Sequence, residues 1–270
     1  MRVSAFTLAL AAILWAATLP FARAADMPVD LELILAVDVS RSMDIDEQKL
    51  QRDGYVAALT HPEVIDAITQ GRHGRIALSY VEWAGPSTQY KVVDWRAIDG
   101  PASAKAFAAA LAQAPIQHFR GTSISNSLVF LAPQFDNNGY EAARRVIDVS
   151  GDGPNNMGLP IELARDPVVQ SGITINGLPI MIKQSMGFSS ISNLDVYYED
   201  CVIGGPGSFV IPIREREKFI EATRTKLILE IAGRQPEARI VPAASKAPRV
   251  SCTIGERLWQ ERWGGGIDYQ

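Results

Sequence analysis

The chain alternates between short apolar runs and longer amphipathic ones. Residues 31–39, LELILAVDV, leave almost no polar face, which is how a strand buried on both sides of a parallel sheet reads. Residues 75–83, 145–152 and 173–179 repeat the pattern, and 208–212 reads as a last, shorter strand. Residues 88–95, following Gly85-Pro86-Ser87, alternate instead, with Tyr90 and Val92 on one face; this suits an antiparallel edge strand paired in a hairpin with 75–83. Between the strands lie helical stretches. The first is capped by Asp44 with Glu47 three residues on and runs to about Leu59, close to a capping box. Others are expected at 102–114, 122–132, 159–170 and 215–232, the last with Phe219, Ile220, Thr223, Leu227 and Ile231 along one face. Strands alternating with helices predict an α/β fold, doubly wound, with a mostly parallel six-stranded sheet and one antiparallel edge strand. No internal repeat breaks this rhythm, which excludes solenoids and propellers.

Candidate chemistry sits where the first strand ends. Asp38, Ser40 and Ser42 occupy alternate positions at its carboxyl end and in the following loop, where open α/β sheets hold ligands. An acid and two hydroxyls gather hard oxygens, the ligand chemistry of Mg²⁺ rather than Zn²⁺. Taken alone, such a junction is as readily a helix cap. Two distant stretches add to it: Gly121-Thr122-Ser123 puts hydroxyls at the start of a helix, and RVIDVSGDG ends a second strand on Asp152. Asp38 and Asp152 meet if those strands are neighbours at the sheet's switch point, with Thr122 entering from the loop between. Asn155 and Asn156 flank the same place, although turn chemistry accounts for them equally well. Asp148, in mid-strand, has no account from the sequence.

DVSRS, GTS and SGDG, in that order, resemble the metal-ion-dependent adhesion site of von Willebrand factor type A domains, over roughly residues 29–234. The resemblance implies that Ser40, Ser42 and Thr122 bind Mg²⁺ (or Mn²⁺) through their hydroxyls, while Asp38 and Asp152 hold it through water. It implies no catalytic residues and a protein partner whose Asp or Glu carboxylate completes the metal's coordination. The branch it looks most like is an uncharacterised group of exported bacterial proteins. The long link at 180–207 departs from the family pattern, so partner specificity does not carry over.

Export is also read from the residues. Residues 1–24 combine Arg2, an apolar core and Ala22-Arg23-Ala24, a secretory signal peptide with cleavage expected after Ala24 and a periplasmic or secreted product. The apolar run is short for a membrane span, and no later run is long enough. The two cysteines, Cys201 and Cys252, read as one disulfide tying a tail at 235–270 to the link; redox catalysis is the poorer reading because no Cys-x-x-Cys pair exists. Trp259 and Trp263, four apart on a short tail helix, suit packing onto the domain or contact with a partner. With 26 basic and 30 acidic residues the chain carries a formal net charge of −4, and without a basic cluster nucleic acid is not an expected partner.

Enzyme readings fit less well. Asp38, His61 or His73, and Ser123 follow the order of a subtilisin-like triad, but neither histidine opens the helix that fold needs, and the spacing is short. A haloacid-dehalogenase-type phosphatase would need an acid where Ser40 stands. Nucleotide-binding glycine motifs are missing. The sequence therefore predicts an exported adhesion or scaffold module using a divalent cation. A metal-assisted hydrolase in the same crevice, or a scaffold with a vestigial site, are the alternatives.

Overall fold

In a computed structural model of the protein, residues 25–182, 190–233 and 247–263 are described; the signal sequence expected at 1–24 lies outside them. In chain order the elements are β1 (Met27–Pro28), β2 (Glu32–Asp38), α1 (Ile45–Leu59), α2 (Pro62–Thr69), β3 (Ile76–Trp83), β4 (Gln89–Ile98), α3 (Pro101–Gln113), α4 (Ile124–Leu131), β5 (Tyr140–Glu141), β6 (Arg145–Gly151), α5 (Ile161–Gln170), β7 (Ile173–Pro179), α6 (Leu194–Tyr197), α7 (Phe219–Ala232) and α8 (Ile254–Trp263). The main sheet has the order β4-β3-β2-β6-β7, with only β3 and β4 antiparallel.

Every residue of β2 is buried, and its alternate side chains enter two different cores. Leu33, Leu35 and Val37 pack with α1, α2, α3 and α7, whereas Ile34 and Ala36 pack with α4, α5 and α6. That period of two across a sheet covered on both faces is what the unbroken apolar run encodes. The chain leaves β2 for β3 on one side and reaches β6 on the other, so the switch point lies between the carboxyl ends of β2 and β6.

Several expectations change in detail. Among the described residues the main sheet is five-stranded rather than six-stranded: the 208–212 segment runs beside β7 through isolated parallel bridges, Gly177 with Val210 and Ile180 with Ile213. Pro179 lacks an N–H, so the rung to Ile211 O is missing between those of Gly177 N to Phe209 O and Met181 N to Ile213 O. The helix α2 was not evident in the sequence because Pro62 reads as a break. It stands in the first turn, where its fixed φ is favourable, and His61 Nδ1 accepts from Glu63 N at 3.3 Å. In α7, Phe219, Thr223, Leu227 and Ile231 are buried as the stripe predicts, but Ile220 is 45% exposed. Lys226 and Glu230 are buried in its place.

The link at 180–207 is partly helical. After α6 a wider turn covers Tyr198–Val202, with Ile203 N bonded to Tyr198 O at 3.0 Å. Cys201 is joined to Cys252, which holds the start of α8 against the second core. Trp259 on α8 is half-buried, while the side chain of Trp263 lies outside what is described. No helix among the described residues is long and apolar enough to cross a membrane.

Candidate functional site

Parallel pairing of β2 with β6 puts Val37 opposite Ser150, so the chain emerges from both strands at one edge. Asp38 is the last residue of β2, and Asp152 directly follows β6. Asp38 Oδ1 accepts from Ser40 N at 2.7 Å, Ser40 Oγ lies 2.8 Å from Ser42 Oγ, and Ser42 Oγ donates to Asp152 Oδ1 at 2.5 Å. Four of the five residues singled out from the sequence thus form one hydrogen-bonded chain.

Thr122 reaches the same edge through its main chain. Phe119 N donates to Val39 O at 3.0 Å, which lays the 119–122 loop beside the Ser40 loop. Thr122 N donates to Asn156 Oδ1 at 2.9 Å, and Thr122 O accepts from Asn156 N at 2.9 Å. Asn155 Oδ1 accepts from Ser125 N at 3.0 Å in the first turn of α4. Both asparagines, ambiguous in the sequence, are buried and join the 122–125 loop to the segment after Asp152.

The acids are electrostatically loaded. Burial pushes the Asp38 carboxyl well above the ordinary Asp range, and the neighbouring Asp152 adds to the shift. Hydrogen bonds from Ser40 work in the other direction without cancelling it. Among the described residues nothing donates a hydrogen bond to the buried Asp38 Oδ2, a costly state for an ionised carboxylate that a proton, a cation or a water held by one relieves. Gly151 leaves room beside it: a Cβ there would stand 2.9 Å from Asp38 Oδ2 and 3.0 Å from the Tyr198 hydroxyl.

Tyr198 is the residue at this site that the sequence did not reveal. It is fully buried, its hydroxyl has no hydrogen-bond partner among the described residues, and burial followed by the charge of Asp38 pushes that hydroxyl up. Its only signal was an aromatic pair, Tyr197-Tyr198, in a link whose path was unknown.

The oxygen set of two carboxylates, two serine hydroxyls and a buried threonine fits a hard, oxygen-preferring cation. Among the described residues no group of three or more His, Cys, Asp or Glu could hold a metal, so a site here depends on the hydroxyls. A subtilisin-like arrangement has no counterpart. Ser123 caps α4 and bonds Asn126, His61 caps α2, and His73 sits in the turn before β3 with its N–H on Asp30.

No curated protein matches the sequence. Solved structures with the same fold include a von Willebrand factor type A protein from Catenulispora acidiphila, with TM-score 0.52, 17% identity, and coverage of 75% of this chain and 43% of the other. Proximal thread matrix protein 1 from the mussel byssus, with a zinc-occupied MIDAS motif, aligns with TM-score 0.53, 14% identity, and coverage of 75% and 46%. The pilus adhesin SpaC from Lactobacillus rhamnosus GG aligns with TM-score 0.55, 13% identity, and coverage of 77% and 31%. The aligned part is thus less than half of each of those chains. The fold is that of von Willebrand A domains, and since the family model described as "Protein of unknown function (DUF1194)" matches residues 28–235, the chain belongs to that family.

Proposed function

We propose that this protein is an exported binding module that holds a divalent cation, Mg²⁺ or Mn²⁺, at Asp38, Ser40, Ser42, Thr122 and Asp152. When bound, the cation supplies positive charge and an open coordination position for an Asp or Glu carboxylate of a protein partner. The observation that carries this reading is the buried, unpartnered Asp38 Oδ2 beside a second acid and a run of hydroxyls. Without a cation, the buried Asp38 carboxyl has one unsatisfied oxygen and is repelled by the half-buried Asp152 beside it.

The chain's own residues prepare the place. The N–H of Ser40 orients Asp38, and the Ser40–Ser42–Asp152 chain fixes the hydroxyls. Two arginines and an aromatic pair lie beside them, with the exposed Asp44 and Asp46 further along, at the start of α1. Arg41 and Arg120 are exposed, each one residue beyond the bridged pair Ser40 and Phe119. Phe119 stacks on Tyr90 at 5.2 Å. Such a rim favours an acidic partner segment. An occupied metal motif in the mussel protein and the adhesive role named for SpaC support the reading by likeness of fold. The Cys201–Cys252 disulfide suits an oxidising compartment, in keeping with a signal sequence at 1–24.

The test is capture of partners from an exported fraction by immobilised protein, with and without EDTA, alongside Asp38→Ala. Binding lost in EDTA, restored by Mg²⁺ and missing in the variant is the expected result. Capture that is indifferent to both treatments would rule the reading out.

A further inference from the structure

The tail helix α8 lies against the site's own loop. Asn155 Nδ2 donates to Glu256 Oε1 at 2.6 Å and to Leu159 O at 3.0 Å, while its Oδ1 accepts from Ser125 N at 3.0 Å. Asn155 N donates to the Tyr197 hydroxyl at 3.2 Å, and that hydroxyl lies 3.5 Å from Cys252 O. The approach of the backbones is close enough to exclude any side chain. A Cβ on Gly255 would stand 2.1 Å from Asn155 O and 3.1 Å from Pro154 Cγ. Two further ties hold the start of the tail in place, the Cys201–Cys252 disulfide and Arg249, whose guanidinium pairs with Glu199 and Asp200.

Asn155 and its neighbour Asn156 divide the work. Asn156 holds the Thr122 main chain with its side-chain oxygen and its own N–H, and Asn155 holds Ser125 at the head of α4. A fully buried Asn side chain keeps one orientation only while its amide hydrogens and its oxygen are all satisfied. Glu256 accepts one of those hydrogens from outside the domain's strands and helices.

We infer that α8 is a brace for the candidate site and that Glu256 is a positioning residue, acting through Asn155 on the 122–125 loop. This rests on the reading that Thr122 holds a cation, because the brace bears on affinity only if Thr122 is a ligand. Residues that orient ligands without touching the metal typically change its affinity by about 10-fold to 100-fold.

The experiment compares the full mature protein with Glu256→Ala, Glu256→Gln and, as a control on the exposed face of the same helix, Arg257→Ala. Mn²⁺ affinity is read by calorimetry, and amide hydrogen exchange is read at 122–125 in the absence of metal. Expected are an affinity loss of about 10-fold in Glu256→Ala, faster exchange at 122–125, near-complete recovery in Glu256→Gln, which keeps an acceptor oxygen, and no change in Arg257→Ala. Wild-type affinity and exchange at 122–125 in Glu256→Ala overturn the inference. Faster exchange confined to α8 itself also overturns it, as that describes a helix that docks without bracing. Should the wild-type protein bind no Mn²⁺, the cation reading fails by itself. The brace is then decided by the exchange data: faster exchange at 122–125 in Glu256→Ala supports it and unchanged exchange overturns it.

Discussion

Ser42 Oγ donates a hydrogen bond of 2.5 Å to Asp152 Oδ1 across 110 positions of sequence. The contact joins the loop after β2 to the end of β6, so it forms only when those strands lie side by side. On the proposed reading it presets a hydroxyl and a carboxylate for a common cation. Ser42→Ala should therefore weaken Mn²⁺ or Mg²⁺ binding by at least about 10-fold, the loss typical even of residues that only orient ligands. The metal-free protein should lose only about 1 to 2 kcal/mol in urea unfolding. Calorimetry and denaturation on the same preparation check both halves, and unchanged metal affinity counts against Ser42 as a ligand.

A buried charge cluster under the sheet should make stability depend on pH. Lys226 is paired with both Asp148 and Glu230, all three fully buried, so two acids share one ammonium. Burial first, then the charge of Glu230, raises the Asp148 carboxyl to about 7, against the pull of Lys226. An acid whose folded pKa lies above its unfolded value binds its proton more tightly when folded. Its contribution is therefore favourable at low pH and is lost as pH rises from about 4 to about 7. Asp148→Asn should flatten that slope, leaving Lys226 paired one-to-one with Glu230. Urea midpoints between pH 4.5 and 7.5 are the measurement, and parallel slopes in the two proteins would falsify this assignment.

Glu82 and Arg52 form a second buried ion pair, in which Arg52 also donates to the carbonyls of Ala114 and Pro115. Removing one partner leaves a charge without compensation in the core between α1 and β3. Glu82→Ala should cost about 3 to 5 kcal/mol. Glu82→Gln should cost less, since an acceptor oxygen remains. A loss below about 1 kcal/mol for Glu82→Ala would mean that water reaches Arg52.

The disulfide closes a loop with a sequence separation of 51, for which the chain-entropy model gives about 4 kcal/mol. The double variant Cys201→Ser, Cys252→Ser should lose a stability of that order while keeping the central sheet. Far-UV circular dichroism and a urea titration measure it, and a loss under about 1 kcal/mol would show that α8 docks without its covalent tie.

Much of the architecture was legible because it is written locally. A strand covered on both faces must be apolar throughout, so β2, β3, β6 and β7 stand out, and Asp44 with Glu47 marks the start of α1 through a reciprocal cap. The grouping of Asp38, Ser40, Ser42 and Asp152 was legible for a related reason: DVSRS and SGDG place them at the ends of neighbouring strands.

What only the tertiary structure decided are relationships between groups far apart in sequence. No spacing shows that Tyr198 comes to lie beside Asp38, that Glu256 meets Asn155, or that Asp148 finds its counter-charge in Lys226. The sixth strand is reduced to single bridges where Pro179 leaves out the rung to Ile211 O, and that too depends on register. Periodicity along a chain reports which face of an element is buried. Which partner covers that face is settled when the layers pack, and here that packing brings the tail helix to the site.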